Sequence, residues 1–209
     1  TGSSKSSLIQ LISRLYDTTE GEVLVGGINV KEYDLNSLRS SVAVVLQKNL
    51  FFSGTIKENL RWGNKEATDE EIIEACKLVN ADEFISKLPN GYQTDLGEGG
   101  NKLSLGQKQL ISFARAIIGN PSLLVLDEAT SSIDTESETF IIEAMNKIMK
   151  NRTSLLIAHR LSTVINADKI IVLKNGTILE QGTHSELLKK KGYYFELYRK
   201  QFVQDNLEK

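Results

Sequence analysis

Short apolar runs alternate with amphipathic stretches along most of the chain. Residues 42–46 and 123–126 are continuously apolar, and 154–158 are nearly so. Such runs are typical of strands that are buried on both faces of a parallel sheet. Apolar residues at helical spacing separate them, most clearly over 103–118. Because strands alternate with helices, the pattern predicts an α/β fold built on a parallel sheet.

The stretch from about 53 to 121 interrupts this alternation because it is mostly helical. Thr68, followed three residues later by Glu71, is a capping-box pattern and predicts a helix start. A Pro-Asn-Gly break follows at 89–91. We therefore predict a helical subdomain inserted into the α/β core.

Turn and cap signals mark the second half of the chain. Asn175-Gly176 between two apolar runs predicts a β-hairpin. Thr135 and Thr183 each precede a glutamate by three residues, and we predict that both cap helices. His184 follows the second cap, where a structural role is expected.

Composition narrows the function classes. The chain has 25 basic and 27 acidic residues, a net charge of −2, which argues against a broad nucleic-acid-binding face. Its single cysteine, Cys76, excludes an intrachain disulfide, and its helical setting predicts a buried structural thiol. No apolar run reaches the length of a membrane-spanning helix.

The first residues carry candidate phosphate-binding chemistry. A phosphate loop needs backbone N–H groups, a lysine and a hydroxyl at the start of a helix. Most of these groups are present in Gly2, Ser3, Ser4, Lys5, Ser6 and Ser7. The usual first glycine is missing, and Ser4 stands where a glycine normally precedes the lysine. These residues alone fit a serine-rich helix cap equally well.

A pair of carboxylates ends the apolar run at 123–126. Asp127 is placed to support a magnesium ion, and Glu128 is placed to orient or activate an attacking water. An exposed acidic strand end is a common alternative. The pair becomes informative only in combination with the phosphate loop.

The segment at 103–107, Leu-Ser-Leu-Gly-Gln, resembles the L-S-G-G-Q signature of the ABC ATPase family. Other family motifs follow in order: Gln47 matches the Q-loop, 129–134 the D-loop, and His159 the switch histidine. The ordered motifs extend over nearly the whole chain, so the resemblance is specific.

The resemblance implies a P-loop NTPase-type parallel sheet flanked by helices, with an inserted α-helical subdomain. Residues 1–209 would form one ABC ATPase domain that lacks its N-terminal strands and is truncated within the phosphate loop. We expect the missing strand to leave an exposed edge beside 42–46 and 123–126. The segments at 95–100 and 182–188 resemble exporters, which implies a transmembrane domain fused upstream and a location on the cytoplasmic face of the cell membrane.

Family roles can be carried over position by position. Glu128 would be the general base, His159 would hold the γ-phosphate, and Gln47 would act beside them. ATP would be bound by residues 2–7, and Mg²⁺ by Ser6, Gln47 and Asp127. A second cassette is required, because one set of residues would contact the ATP of the partner in trans: Leu103, Ser104, Leu105, Gly106, Gln107 and Asp134.

Two positions depart from the family pattern. Ser4 replaces a glycine at a tight phosphate turn, and Leu105 replaces the first signature glycine. Glu128 and His159 are intact. The combination resembles one half of a heterodimeric exporter, and a homodimer that tolerates the leucine is the alternative.

Other hypotheses stay open at this point. The chain could be a soluble, non-transport ABC ATPase, or a regulatory cassette with impaired hydrolysis. The scattered aromatic residues, Trp62, Tyr92, Tyr193 and Tyr194, are predicted to serve packing rather than base stacking.

Overall fold

The computed structural model describes residues 5–46, 49–127, 135–158 and 161–207. Within these ranges, no helix is both long and apolar enough to span a membrane. The strands are β1 (Leu24–Val25), β2 (Ile28–Asn29), β3 (Val42–Val45), β4 (Leu123–Asp127), β5 (Thr153–Ile157), β6 (Ile170–Lys174) and β7 (Thr177–Gly182). The helices are α1 (Lys5–Ile12), α2 (Leu35–Ser41), α3 (Ile56–Arg61), α4 (Asp69–Leu78), α5 (Asp82–Ile85), α6 (Leu105–Ile118), α7 (Thr135–Met149), α8 (His184–Lys190) and α9 (Tyr193–Leu207). Short 3₁₀ helices lie at Val30–Glu32, Gly91–Gln93, Glu98–Gly100 and Leu161–Thr163.

The three predicted apolar strands form one parallel sheet in the order β3-β4-β5. Val45 pairs with Leu126, and Asp127 pairs with Ile157. The α/β prediction is confirmed. The expected exposed edge beside 123–126 is wrong, because β4 is central and is hydrogen-bonded to a strand on each side. Among the described strands, the outer edges of this sheet belong to β3 and β5.

Helices cover both faces of the sheet. On one face, Ile9 of α1 and Leu38 of α2 pack against Val125. On the other face, Leu124 and Leu126 pack against residues of α6 and α7. Successive side chains of a strand point to opposite faces, so a strand buried on both sides has to be apolar throughout.

Helices α3 to α6 lie in sequence between β3 and β4, as predicted for the helical insertion. Their core includes Ile72, Cys76 and Phe113, each of which is fully buried or nearly so. Burial raises the pKa of the Cys76 thiol to about 12, so the thiol is inert and its predicted structural role is confirmed. The division into a core and a subdomain at 53–121 stays a prediction.

Capping boxes begin several helices. Those at Thr68 and Thr183 are confirmed, and two more occur at Thr55 and Ser104. The predicted cap at Thr135 stays a prediction, because the residues directly before Thr135 lie outside the described ranges.

The C-terminal part contains the predicted hairpin. Asn175 and Gly176 form the turn between β6 and β7 with φ of 51° and 76°, which these two residue types tolerate best. His184 Nδ1 lies 2.8 Å from the Tyr194 hydroxyl, and Tyr194 is buried. The structural role predicted for His184 and the packing role predicted for Tyr194 are therefore confirmed.

Candidate functional site

The carboxyl ends of β3, β4 and β5 meet at one edge of the parallel sheet. Asp127 ends β4 at this edge and is partly buried. Gln47 and His159 each follow the last residue of their strand by two positions. The structure thus brings the strands that carry these residues together. Gln47, Glu128, His159 and the residues of 129–134, including Asp134, lie outside the described residues, so their side-chain positions stay predictions.

The described part of α1 begins at Lys5, which is the predicted phosphate-binding lysine. Ser6 and Ser7 follow in its first turn, which contains no acidic residue. The first backbone N–H groups of a helix have no partner within the helix, so this end favours an anion. Gly2, Ser3 and Ser4 lie outside the described residues.

The described groups fit a magnesium–nucleotide pair. Lys5 and the N-terminus of α1 supply positive charge and N–H donors, and Asp127 supplies a carboxylate at the end of the central strand. Packing of Ile9 onto the cluster around Val125 fixes α1 against the sheet. The helix is therefore held on the strand that ends at Asp127.

The predicted signature forms the start of α6, and its geometry is fully described. Ser104 is the N-cap residue, and its hydroxyl oxygen accepts the Gln107 N–H at 3.2 Å. The Gln107 side chain accepts the Ser104 N–H at 3.0 Å and completes the capping box. Ser104 Oγ keeps its own proton, which it can donate to a phosphate oxygen.

The N–H groups of Leu105 and Gly106 are the first two of α6 and have no acceptor within the helix. The first turn contains no acidic residue that would compete with an anion. Leu103 is buried in the core, whereas the Leu105 side chain is 45% exposed. A large apolar side chain thus projects from the turn that would face the partner's nucleotide.

The segment before the signature is tied to α6 and to the start of α3. Lys108 Nζ donates to the Gly99 carbonyl oxygen at 3.1 Å. Asp95 pairs with Thr55 in an isolated β-bridge. Gly100 approaches Phe51 so closely that an added Cβ would lie 3.1 Å from the ring. The exporter-like segment at 95–100 therefore packs beside the residues that follow β3.

The helical insertion contains a polar network that the sequence patterns did not predict. Gln109 and Asn59 are 3% and 1% exposed, and both are hydrogen-bonded. Arg115 of α6 donates to the Leu50 carbonyl oxygen at 2.7 Å. Gln109 and Arg115 are polar residues among the apolar residues of α6, and this position could have indicated buried hydrogen bonds. Their partners, Asn49 and Leu50, are too distant along the chain to be found from a local pattern.

Trp62 packs at the surface rather than in the core. Its side chain is 58% exposed and stacks on Phe52, with 4.4 Å between the ring centroids. Phe52 is itself 46% exposed, and its neighbour Leu50 is 63% exposed. An exposed patch of large apolar side chains is typical of an interaction surface.

Comparisons with known proteins agree with these features. The ABC transporter family profile matches residues 1–131. A protein described as a multidrug export ATP-binding/permease protein of Staphylococcus aureus (strain NCTC 8325 / PS 47) is 53% identical over 197 residues, covering 94% of this chain and 34% of that protein. A second protein of this description, from Staphylococcus aureus (strain bovine RF122 / ET3-1), is 52% identical over 197 residues, with the same shares covered.

Among solved structures, a bacterial Atm1-family ABC exporter with ATP bound matches with a TM-score of 0.90 and 39% identity. The match covers 96% of this chain and 35% of that chain. This likeness confirms the predicted fold class. The chain spans about a third of the length of the relatives that it matches.

Proposed function

Because the chain belongs to the ABC transporter family, whose cassettes bind and hydrolyse ATP, we propose that it powers substrate export as one of two cassettes in a transporter. The observation that carries the proposal is the capped N-terminus of α6, where Ser104 and two backbone N–H groups offer donors that would bind a phosphate. The export proteins among its relatives favour transport over a soluble, non-transport ATPase.

The residues at the carboxyl edge of the sheet would bind this chain's own ATP. Lys5 and residues 2–7 would hold the phosphates, and Ser6, Gln47 and Asp127 would hold Mg²⁺. Bound Mg²⁺ would neutralise developing charge on the phosphate oxygens. Glu128 would accept a proton from the attacking water, and His159 would orient the terminal phosphate.

The signature residues would serve a second cassette. Ser104 and Gly106 lie at the start of α6, which is the last helix of the insertion between β3 and β4. Their donors would stabilise the γ-phosphate of ATP that is bound by the partner. The catalytic unit would therefore be a dimer with two ATP molecules at its interface, with Asp134 contributing beside the signature.

A transmembrane domain is the second proposed partner. The curated relatives are about three times as long as this chain and are described as both ATP-binding and permease proteins. The exposed patch formed by Leu50, Phe52 and Trp62 would pack against that domain, beside the segment at 95–100. This arrangement would place the cassette on the cytoplasmic face of the membrane, where ATP is available.

Leu105 favours a heterodimer in this proposal. Its exposed side chain would crowd the nucleotide bound by the partner, whereas Glu128 and His159 would serve this chain's own nucleotide. The site that uses Glu128 would hydrolyse ATP if the partner's signature carries the usual glycine. The site opposite Leu105 would bind ATP and hydrolyse it slowly.

The test is Glu128→Gln in the full-length transporter. Glutamine keeps the shape of glutamate and removes its basicity, so turnover should fall by about two to four orders of magnitude while ATP still binds. Glu83→Gln is the matched control, because Glu83 is exposed and pairs only with Lys87 on the surface. Near-normal hydrolysis in the Glu128→Gln transporter would reject the assignment.

A further inference from the structure

Arg115 is partly buried, and its contacts are with neutral partners. Its Nη1 donates to the Leu50 carbonyl oxygen at 2.7 Å, and its Nη2 lies 3.4 Å from Asn59 Oδ1. Its guanidinium carbon lies 4.9 Å above the centre of the Phe51 ring. Arg115 belongs to none of the ion pairs found in the described ranges. Burying a charge without a carboxylate is costly, so its contacts have to be specific.

The four residues at 49–52 are all held by this part of the helical insertion. Asn49 donates to Gln109 Oε1 at 2.7 Å, and Leu50 and Phe51 contact Arg115. The Phe52 N–H donates to Asn59 Oδ1 at 3.0 Å, and Asn59 Nδ2 donates back to the Phe52 carbonyl at 2.9 Å. The segment is therefore fixed to α6 and α3 along its whole length.

This attachment connects two regions with different functions. Helix α6 begins beside Ser104, in the signature, and Arg115 lies in its last turns. The segment 49–52 starts two residues after Gln47, which faces this chain's own nucleotide in the proposed function. A helix transmits displacement along its axis because its backbone hydrogen bonds are continuous. Helix α6 is therefore in contact with segment 49–52 near one end and carries the signature at the other.

We propose that Arg115 is a positioning residue for ATP hydrolysis, which fastens segment 49–52 to α6 so that the region after Gln47 and the signature move as one unit. The inference rests on the proposed function. Arg115 touches no nucleotide and acts only through Leu50, Phe51 and Asn59. Its loss disturbs the coordination of the two ATP-facing regions and leaves the phosphate-binding residues in place.

Arg39 offers a matched control. It donates to the carbonyl oxygens of Ser13 and Arg14 at 3.4 and 3.0 Å, so it makes the same kind of bond as Arg115. These bonds join α2 to the end of α1 and involve neither α6 nor segment 49–52. Arg39→Met therefore removes arginine–carbonyl bonds without affecting the proposed connection.

The experiment compares Arg115→Met, Arg115→Lys and Arg39→Met in the full-length transporter. Hydrogen exchange by mass spectrometry is measured over peptides covering 49–59, and ATP turnover is normalised to bound ATP. In Arg115→Met, exchange at 49–59 becomes faster, and turnover per bound ATP falls at least about tenfold while KM stays within about twofold. Arg115→Lys recovers part of the turnover, because an ammonium group can donate to the Leu50 carbonyl. Arg39→Met matches the unaltered protein in both measurements.

Several results would overturn the proposal. Normal turnover in Arg115→Met, with or without faster exchange, shows that the attachment does not matter for hydrolysis. Parallel loss of ATP binding and turnover in the methionine and lysine variants shows a purely structural role. Absence of turnover in the unaltered transporter refutes the proposed function instead, and the exchange measurement still decides whether Arg115 holds segment 49–52.

Discussion

Asn59 is a buried asparagine on which the backbone of Phe52 depends. Three hydrogen bonds of its amide hold the backbone: Oδ1 accepts the Phe52 N–H at 3.0 Å, and Nδ2 donates to the carbonyls of Phe52 and Thr55 at 2.9 and 3.1 Å. Asn59→Ala removes all three and leaves their partners without a replacement. The substitution should therefore loosen the helical insertion.

The size of the effect follows from burial. A net contribution of about 1 kcal/mol for each hydrogen bond gives about 3 kcal/mol in total. Asn59 is 1% exposed, so water cannot readily take the place of the amide. Since about 1.4 kcal/mol corresponds to a tenfold change in an equilibrium constant, the insertion should open about a hundredfold more often.

Cys76 provides the assay. Its thiol is fully buried in the same core as α3, and burial raises its pKa to about 12, so labelling requires opening. The full-length transporter is treated with N-ethylmaleimide, and modification of the peptide that contains Cys76 is followed by mass spectrometry. Asn59→Ala should accelerate this modification about a hundredfold, in line with the ~3 kcal/mol loss.

Asn64→Ala is the matched control. Asn64 lies in the same insertion and accepts only the exposed Glu66 N–H at 3.0 Å, so its loss should change the labelling rate by less than about fivefold. If Asn59→Ala accelerated labelling no more than Asn64→Ala does, the hydrogen bonds of Asn59 would not stabilise the insertion. The account of segment 49–52 would then be wrong.

Two further predictions concern the signature and the isolated chain. Leu105→Gly should speed hydrolysis only at the partner's site, and only if that site keeps its own base. Nucleotide trapping measures the activity of each site. Two equally active sites in a complex of identical chains would contradict the heterodimer. Residues 1–209 expressed alone should aggregate, because Ile171, Ile178 and Leu179 are 49%, 59% and 47% exposed on the β6–β7 hairpin. They should also bind ATP poorly, because Ser4 stands where the phosphate turn usually has a glycine. Light scattering and calorimetry test this prediction, and tight magnesium-dependent ATP binding by a monomer would refute it.

Local patterns in the sequence were sufficient for most elements. Continuous apolar runs predicted β3, β4 and β5, and the capping boxes at Thr68 and Thr183 predicted two helix starts. Strand order was not predictable in the same way. The position of β4 between β3 and β5 depends on pairing between residues that are distant along the chain, as in the pairing of Val45 with Leu126 and of Asp127 with Ile157.

In the candidate site as well, local features were predictable from the sequence and long-range contacts were not. Motif order predicted Lys5 at a helix start, Asp127 at a strand end and Ser104 at a helix cap, because each motif encodes a local conformation. The hydrogen bond from Arg115 to Leu50 joins residues 65 positions apart and has no local signature. The exposure of Trp62 was missed because an aromatic residue in a helical segment usually packs inside.

Leu105 and the residues that hold segment 49–52 lie at different positions along α6. Leu105 is exposed at the first position of the helix, whereas the contacts to segment 49–52 are made by Gln109 and Arg115 farther along it. A leucine at position 105 would therefore change the side chain that faces the partner's nucleotide, whereas the contacts between α6 and segment 49–52 would stay the same. In the proposed mechanism, a cassette with this substitution would therefore keep the connection between segment 49–52 and the signature. In the proposed function, Leu105 would act at the nucleotide of the partner and Glu128 at the nucleotide of this chain, so loss of the signature glycine is compatible with an intact base in the same chain.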